Sequence, residues 1–204
     1  FKEGWLDASR LDAEVDKMAR AVAKAREQVA ALINASPEQI IFTACATESN
    51  NMVVKGVVGP ALQKGERPVL AVSNVEHPAI LEPAQEMQGL GAELLMLEVD
   101  GQGVFAPDTL GAILEQVAAR DKGGLVSVML ANNETGVLSP VDELCGVAHA
   151  HGLKMHTDAA QGVAKIPVDV QALDVDYLTI AGHKMYAPKG IGALYLKDPG
   201  SLLP

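Results

Sequence analysis

The stretch DYLTIAGHKMYAPKGIG, residues 176–192, contains two apolar, β-prone runs separated by a turn that carries a histidine and a lysine. The first run, 177–181, leads directly to Gly182, His183 and Lys184. A lysine at the end of a buried strand loses hydration, which lowers its pKa and makes the amine nucleophilic enough to form a Schiff base. We therefore expect Lys184 to be partly buried and reactive. The alternative is an ordinary solvated loop lysine.

A second stretch, LKMHTDAAQ at residues 153–161, has the same form, but a carboxylate, Asp158, stands where the lysine would be. A reactive amine and a carboxylate at the ends of two strands are what a pyridoxal phosphate enzyme requires. In that interpretation, Asp158 pairs with the protonated pyridine nitrogen of the cofactor. The alternative for Asp158 is a cap for the segment that follows it.

Strand and helix patterns alternate along the chain. This alternation predicts an α/β fold: a mainly parallel sheet with helices on both faces, in three layers. The last two strands are joined by a short loop, so we expect that pair to be antiparallel. Strands are predicted at 39–43, 69–73, 93–97, 125–131, 154–157, 177–181 and 193–196, and helices at 11–33, 46–57, 78–90, 107–120 and 141–151.

Polar clusters follow several of the predicted strands. In a sheet of this kind, ligands bind beyond the carboxyl ends of the strands, so convergence of these clusters would form a site. Thr47, at the start of a predicted helix, joins them if the strand order allows. The clusters are 76–77, 132–136, 158–161 and 182–184.

Each cluster also has an ordinary structural interpretation. His77 precedes Pro78, so it either sits at a helix entry or stacks on a planar cofactor. Ala46 and Thr47 start a helix, where free amides form a phosphate cradle or receive a simple cap. Residues 132–136 have the composition of a turn.

Composition excludes several classes of function. The 204 residues carry a net charge of −10 with scattered Lys and Arg, which argues against nucleic acid as a partner. No apolar run reaches the ~20 residues that span a bilayer, and we expect no signal peptide. The two cysteines, Cys45 and Cys145, fit a reducing cytoplasm and are expected to be small buried hydrophobes. His149, His151 and His156 lack ligand-like partners, so no metal site is predicted.

Taken together, these motifs closely resemble the cysteine desulfurase and selenocysteine lyase family, fold-type I pyridoxal phosphate enzymes related to class V aminotransferases. The order and spacing of the motifs agree across about residues 21–197. The matching segments are 42–51, 76–77, 132–136, 156–161 and 182–195.

The resemblance implies a role for each matching residue. Lys184 would hold pyridoxal phosphate as a Schiff base and later move the protons of the substrate. Asp158 would pair with the pyridine nitrogen, and His77 would stack on the ring as a second catalytic residue. Gln161 would hydrogen-bond the ring hydroxyl group, and Asn133 would lie beside the cofactor and help to place the substrate carboxylate.

The resemblance also assigns the phosphate to Ala46, Thr47 and His183. Two residues depart from the family pattern near this point. Ala181 stands where many desulfurases place a hydroxyl residue against the phosphate, and Cys45 stands where glycine is usual. The loss of one phosphate hydrogen bond should cost about 0.5–1.5 kcal/mol, which the remaining contacts can tolerate.

The implied activity is removal of sulfur from L-cysteine, or selenium from L-selenocysteine, to leave L-alanine. Family membership further implies a homodimer, a sulfur-acceptor protein as partner and a part in iron–sulfur cluster biogenesis. Residues 1–204 are expected to form the cofactor-binding large domain, with an N-terminal segment and a C-terminal small domain lying outside them. The alternatives are another class V aminotransferase or β-lyase on the same scaffold, or a catalytically silent cofactor-binding fragment.

Overall fold

Seven strands form one sheet in the computed structural model, which describes residues 8–117 and 123–202, with side chains from residue 15 onward. Six α-helices flank the sheet within these ranges. The strands are β1 Ile40–Thr43, β2 Val69–Ser73, β3 Glu93–Leu97, β4 Gly124–Ser127, β5 Lys154–Asp158, β6 Tyr177–Ala181 and β7 Gly192–Leu196. The helices are α1 Ala8–Leu32, α2 Ala46–Gln63, α3 Pro78–Gly89, α4 Pro107–Gln116, α5 Val141–Ala150 and α6 Val170–Leu173.

The strand order is β1-β7-β6-β5-β4-β2-β3. Strands β2 to β6 run parallel to one another, whereas β7 is antiparallel to both of its neighbours, β6 and β1. The predicted antiparallel pair is therefore confirmed. Two antiparallel steps restore the original direction, so β1 ends at the same edge as β6. The start of α2 consequently lies at the ligand-binding edge of the sheet.

Helices cover both faces of the sheet, which explains why most of its strands are rich in apolar residues. In β2, Val69 and Ala71 point into one core, and Leu70 and Val72 point into the other. Helices α2 and α3 pack on the second face, while buried residues of α1, α4, α5 and α6 belong to the first core. The predicted three-layer α/β fold is confirmed.

Most predicted boundaries agree with the structure, and the differences have local causes. Strand β4 ends at Ser127, earlier than predicted, because Val128 and Leu130 continue to donate hydrogen bonds to β5 but no longer pair with β2. The short helix α6 was not predicted. The expected end of α4, at 118–120, lies outside the described residues. No described helix is long and apolar enough to cross a membrane.

His156 forms a fully buried polar link across three strands beneath the ligand-binding edge. Its Nδ1 lies 2.8 Å from the Ser127 hydroxyl group, and its Nε2 lies 3.1 Å from the Thr179 hydroxyl group. Burial lowers the pKa of His156 to about 3, so the ring stays neutral in the folded state. This histidine therefore has a structural role that the sequence did not indicate.

We expect this buried histidine to make folding acid-sensitive. Between pH 6.5 and about 3, this histidine is protonated in the unfolded chain but stays neutral in the folded chain. The free energy of unfolding therefore decreases as the pH falls, by at most ~2–5 kcal/mol. Replacing His156→Gln should cost about 1–3 kcal/mol at pH 7 but should flatten this slope. Urea unfolding at pH 7, 5.5 and 4.5 measures both effects. The half-buried His151, changed to Gln, is the control; an unchanged slope in His156→Gln would contradict the prediction.

Candidate active site

A cavity of about 230 Å³ opens at the carboxyl edge of the sheet. Its walls come from the start of α2, the entry to α3, and the segments that follow β4, β5 and β6. All eight residues that the sequence predicted for the site line this one cavity, although their individual roles remain predictions. They are Ala46, Thr47, His77, Asn133, Asp158, Gln161, His183 and Lys184.

The start of α2 leaves its first amides available to a ligand. Cys45 occupies the N-cap position, and its side chain makes no capping hydrogen bond. The first amides of a helix lack partners within the helix and carry partial positive charge, so they form an anion site. Ala46 and Thr47 of this first turn line the cavity. This end of the cavity is therefore suited to bind an anionic group of a ligand.

Gly192 holds this helix start close to β7. A Cβ atom at position 192 would lie 2.8 Å from the carbonyl carbon of Cys45 and 2.9 Å from the Thr43 hydroxyl oxygen. Both distances are shorter than real carbon contacts, so a larger residue would push the helix start away from the sheet. The position of the amides thus depends on the absence of a side chain at Gly192.

Asp158 lies at the end of β5 and is only 6% exposed. One carboxylate oxygen accepts from the Asn50 amide at 2.8 Å, and the other accepts from the backbone N–H of Ala160 at 2.9 Å. Burial raises the pKa of Asp158, while the hydrogen bonds from Asn50 and Ala160 partly oppose this shift. The predicted cap is confirmed, since one oxygen accepts from the turn that follows, and the buried carboxylate borders the cavity, where pairing with a ring nitrogen stays a prediction.

Asn50 is a site residue to which the sequence analysis gave no role. It is fully buried, and its Oδ1 has no hydrogen-bond partner within the described residues. A buried acceptor of this kind usually meets water or a ligand. Its position inside the 42–51 motif was the available signal, since an asparagine on the buried face of a helix needs a polar partner.

His77 lies at a helix entry, as one of its two interpretations predicted, and stacking on a cofactor stays a prediction. It is the N-cap of α3, and its Nδ1 accepts from the backbone N–H of Ala79 at 3.1 Å. Because Nδ1 is an acceptor here, the neutral ring carries its proton on Nε2. The ring is exposed and borders the cavity. The capping bond therefore fixes the ring beside the space that it lines.

Lys184 and His183 lie on a single 3-10 turn, Gly182–Met185, that follows β6. Both side chains border the cavity and both are exposed. The expectation that Lys184 is partly buried is wrong, because the buried strand ends at Ala181 and the turn carries the lysine beyond the edge of the sheet. The site brings this amine to the cavity rim without desolvating it.

Gln161 and Asn133 both line the cavity. Contacts between residues close in sequence hold each of these two segments in place. The side-chain oxygen of Gln161 accepts from Lys165, which leaves the Gln161 amide N–H groups free to donate. Asn133 is exposed, and its neighbour Asn132 fastens the loop. Asn132 accepts from the N–H groups of residues 134 and 135 at 2.9 Å and donates to the carbonyl of Val75 at 3.3 Å.

A second polar cluster lies at the opposite edge of the sheet. One potential ligand atom from each of Cys145, His149 and Asp174 lies within 4.8 Å of the others, so the expectation that His149 lacks ligand-like partners is wrong. His149 also contacts Asp176 at 2.8 Å, and Lys197 pairs with Asp174 at 2.5 Å. These contacts already engage both carboxylates.

The two cysteines differ in their surroundings. Cys145 is 1% exposed, as predicted, and burial raises its pKa to about 12. Cys45 is only half-buried and lines the cavity, so its prediction as a buried hydrophobe is wrong. The cause is its place at the N-cap of α2, where the chain turns into the cavity wall.

The family model described as aminotransferase class-V matches residues 8–202. The chain belongs to the class-V aminotransferase family. Class-V aminotransferases and cysteine desulfurases are known pyridoxal phosphate enzymes, which agrees with the anion cradle, carboxylate and lysine around the cavity.

Curated relatives of this class-V chain are cysteine desulfurases. A protein named cysteine desulfurase IscS from Dictyoglomus turgidum is 44% identical over 90% of this chain and 45% of its own length. Another, from Ehrlichia chaffeensis, is 41% identical over 89% of this chain and 42% of its own length. The resemblance to the desulfurase family is confirmed.

Solved structures of class-V enzymes share the fold. The structure titled SspA in complex with cysteine is 34% identical and superposes with a TM-score of 0.87. The match covers 94% of this chain and 54% of the SspA chain. DndA from Streptomyces lividans is 37% identical and superposes with a TM-score of 0.79. The match covers 91% of this chain and 50% of the DndA chain. The chain thus spans about half the length of the proteins that it matches.

Proposed function

We propose that this chain forms the cofactor-binding large domain of a pyridoxal phosphate-dependent cysteine desulfurase, which removes sulfur from L-cysteine and leaves L-alanine. The observation that carries the proposal is the lining of one cavity by a lysine, a buried carboxylate, a histidine and the open start of a helix. Relatives named cysteine desulfurase, 41–44% identical over about nine-tenths of the chain, support the same substrate.

The residues around the cavity fit pyridoxal phosphate group by group. The α2 amides at Ala46 and Thr47, with His183, would hold the phosphate. Asp158 offers the only buried carboxylate that lines the cavity among the described residues, and it would face the ring nitrogen. The Oδ1 of Asn50, which has no hydrogen-bond partner within the described residues, provides one further acceptor next to Asp158.

Bound pyridoxal phosphate supplies an electron sink for the bonds at the α-carbon of an amino acid. The Nζ of Lys184 would attach the cofactor covalently, then take and return the α-proton of the substrate. Because the lysine stands on an exposed turn, its side chain can swing between these two positions. The carboxylate of Asp158 would hold a proton on the ring nitrogen, where burial strengthens the charge interaction.

The remaining residues orient the reacting groups. His77, fixed by its capping bond to Ala79, would present a flat ring for stacking. Gln161 would donate to the ring oxygen through its free amide N–H groups, because Lys165 already holds the amide oxygen. Asn133 would help to place the substrate carboxylate.

A thiolate would attack the substrate sulfur as the bond between that sulfur and the β-carbon breaks. The sulfur would stay on the attacking thiolate as a persulfide, and the electron pair of the broken bond would remain on the β-carbon, where an added proton completes alanine. We assign this thiol to neither cysteine of the chain, since Cys145 is buried at the opposite edge and Cys45 borders the proposed phosphate cradle. Selenocysteine would react in the same way. A homodimer and a separate sulfur-acceptor protein belong to this proposal.

Titration with pyridoxal phosphate followed by incubation with cysteine and a thiol tests the proposal. We expect a visible absorption band that borohydride fixes to the protein, and equal amounts of alanine and released sulfur. A transferred amino group, recovered on a keto acid, would instead indicate an aminotransferase. A stable band without any alanine would indicate a silent cofactor-binding chain, and absence of a band in the folded protein would contradict the proposal.

A further inference from the structure

Glu76 is a buried acid beside the cavity that the proposed mechanism does not use. It lies between β2 and α3, directly before His77, and is only 5% exposed. Its Oε1 accepts from the Ser73 hydroxyl group at 2.5 Å and from the backbone N–H of Met129 at 2.7 Å. Since His77 and Met129 both line the cavity, Glu76 fastens one wall of it to another.

The other oxygen of Glu76 lacks any such support. Oε2 is buried without a hydrogen-bond partner, and no ion pair reaches Glu76 within the described residues. A buried carboxylate without a cation is strongly destabilising, and such a group usually binds a proton instead.

The groups that face Glu76 favour its neutral form. Ser73 of β2 and the Met129 amide after β4 are uncharged, and the charged group that acts on it from β5 is the carboxylate of Asp158. Burial above all, and the negative charge of Asp158 to a smaller extent, raise the pKa of Glu76 to about 8, although both hydrogen bonds oppose the shift. A negative charge on Glu76 would therefore be repelled by the carboxylate of Asp158.

We propose that Glu76 is a positioning residue that acts as a neutral carboxylic acid, clamping the loop that carries His77 onto Met129 and leaving Asp158 as the carboxylate that would pair with the ring nitrogen of the cofactor. This role rests on the proposed function only where it concerns the cofactor. Ionisation of Glu76 would place two carboxylates in one buried region and would loosen the clamp, because the second charge draws water into it.

Two substitutions separate the clamp from the charge. Glu76→Gln keeps the acceptor for Ser73 and Met129 and cannot ionise, whereas Glu76→Leu removes the acceptor altogether. Glu82→Gln, on the exposed face of α3, is the control for loss of one carboxylate. Wild type and variants are compared at pH 7 and pH 9.5, with pyridoxal phosphate as the probe.

The first readout needs no cofactor. The infrared spectrum of wild type minus Glu76→Gln should contain the carbonyl band of a neutral carboxylic acid at pH 7, and the band should vanish at pH 9.5. The Tm of wild type should also fall relative to Glu76→Gln between pH 5 and pH 8, by roughly 5 °C or more, because the folded chain keeps a proton that the unfolded chain releases. No neutral-acid band at pH 7 would overturn the proposal.

The second readout is the ratio of cofactor dissociation constants, which cancels the titration of every other group. We expect wild type and Glu76→Gln to agree at pH 7 and wild type to bind about tenfold more weakly at pH 9.5, a change that corresponds to one pKa unit. Glu76→Leu should bind weakly at both pH values. A ratio that does not change with pH would overturn the positioning role. If no protein binds the cofactor, the proposed function fails, and the infrared band still decides whether Glu76 is neutral.

Discussion

Replacing Lys184 by alanine is expected to abolish covalent attachment of pyridoxal phosphate and to lower alanine formation by at least about 10³-fold, because one amine serves as both anchor and proton carrier. The side chain is exposed on its turn, so the free energy of unfolding should change by no more than about 0.5 kcal/mol. The visible band, borohydride trapping and a peptide map of the reduced protein measure the effect.

Lys189 supplies a matched control for this experiment. It is also an exposed lysine, five positions further along the same connection to β7, but it does not line the cavity. Lys189→Ala should keep the band and the trapped peptide of wild type. Trapping that persists in Lys184→Ala, or that maps to another lysine, would show that the anchor had been assigned to the wrong residue.

Replacing Asp158 by asparagine is the second change with a large expected effect. The substitution preserves shape and removes the charge that would hold a proton on the ring nitrogen, so we expect turnover to fall by about 10²–10³-fold. Stability should change by only about 1 kcal/mol. One donor, Asn50 or Ala160, loses an acceptor, but the burial penalty on the carboxylate disappears.

The contrast with Asp169 distinguishes charge from capping. Asp169 also accepts from backbone N–H groups, at the start of α6, but it lies far from the cavity lining. Asp169→Asn should lower the Tm and leave cofactor binding unchanged. Equal turnover of Asp158→Asn and wild type, measured with saturating cofactor, would exclude the proposed role of Asp158.

The sequence predicted the strands best where apolar runs are bounded by turns. Strands β2, β3 and β6 begin and end at the predicted residues, because turn or loop residues bound each of these runs. Of the three, β2 and β6 are buried on both faces, whereas β3 is the edge strand and is only partly buried. The direction of β1 could not be predicted in the same way. It depends on insertion of β7 beside it, and pairing between strands distant in sequence leaves no local pattern.

The site residues were predictable from motifs, but their surroundings were not. The motifs placed eight residues on one cavity. They gave no information on the exposure of Lys184, which depends on a 3-10 turn, or on the contact between Asn50 and Asp158, which joins α2 to β5. Glu76 was noted only as the neighbour of His77, because its proton depends on burial that no short motif encodes.

The position of β7 between β1 and β6 has a consequence for synthesis of the protein on the ribosome. Thr43 pairs with Gly192, so β1 remains without its partner until the residues of β7 have emerged. Until then, the helix start at Ala46 and Thr47 lacks the close contact with Gly192 that holds it beside β7, although Asn50 can already reach Asp158 of β5. Capture of the cofactor is therefore tied to synthesis of β7, and a nascent polypeptide interrupted before Gly192 would contain the lysine but would bind the cofactor more weakly.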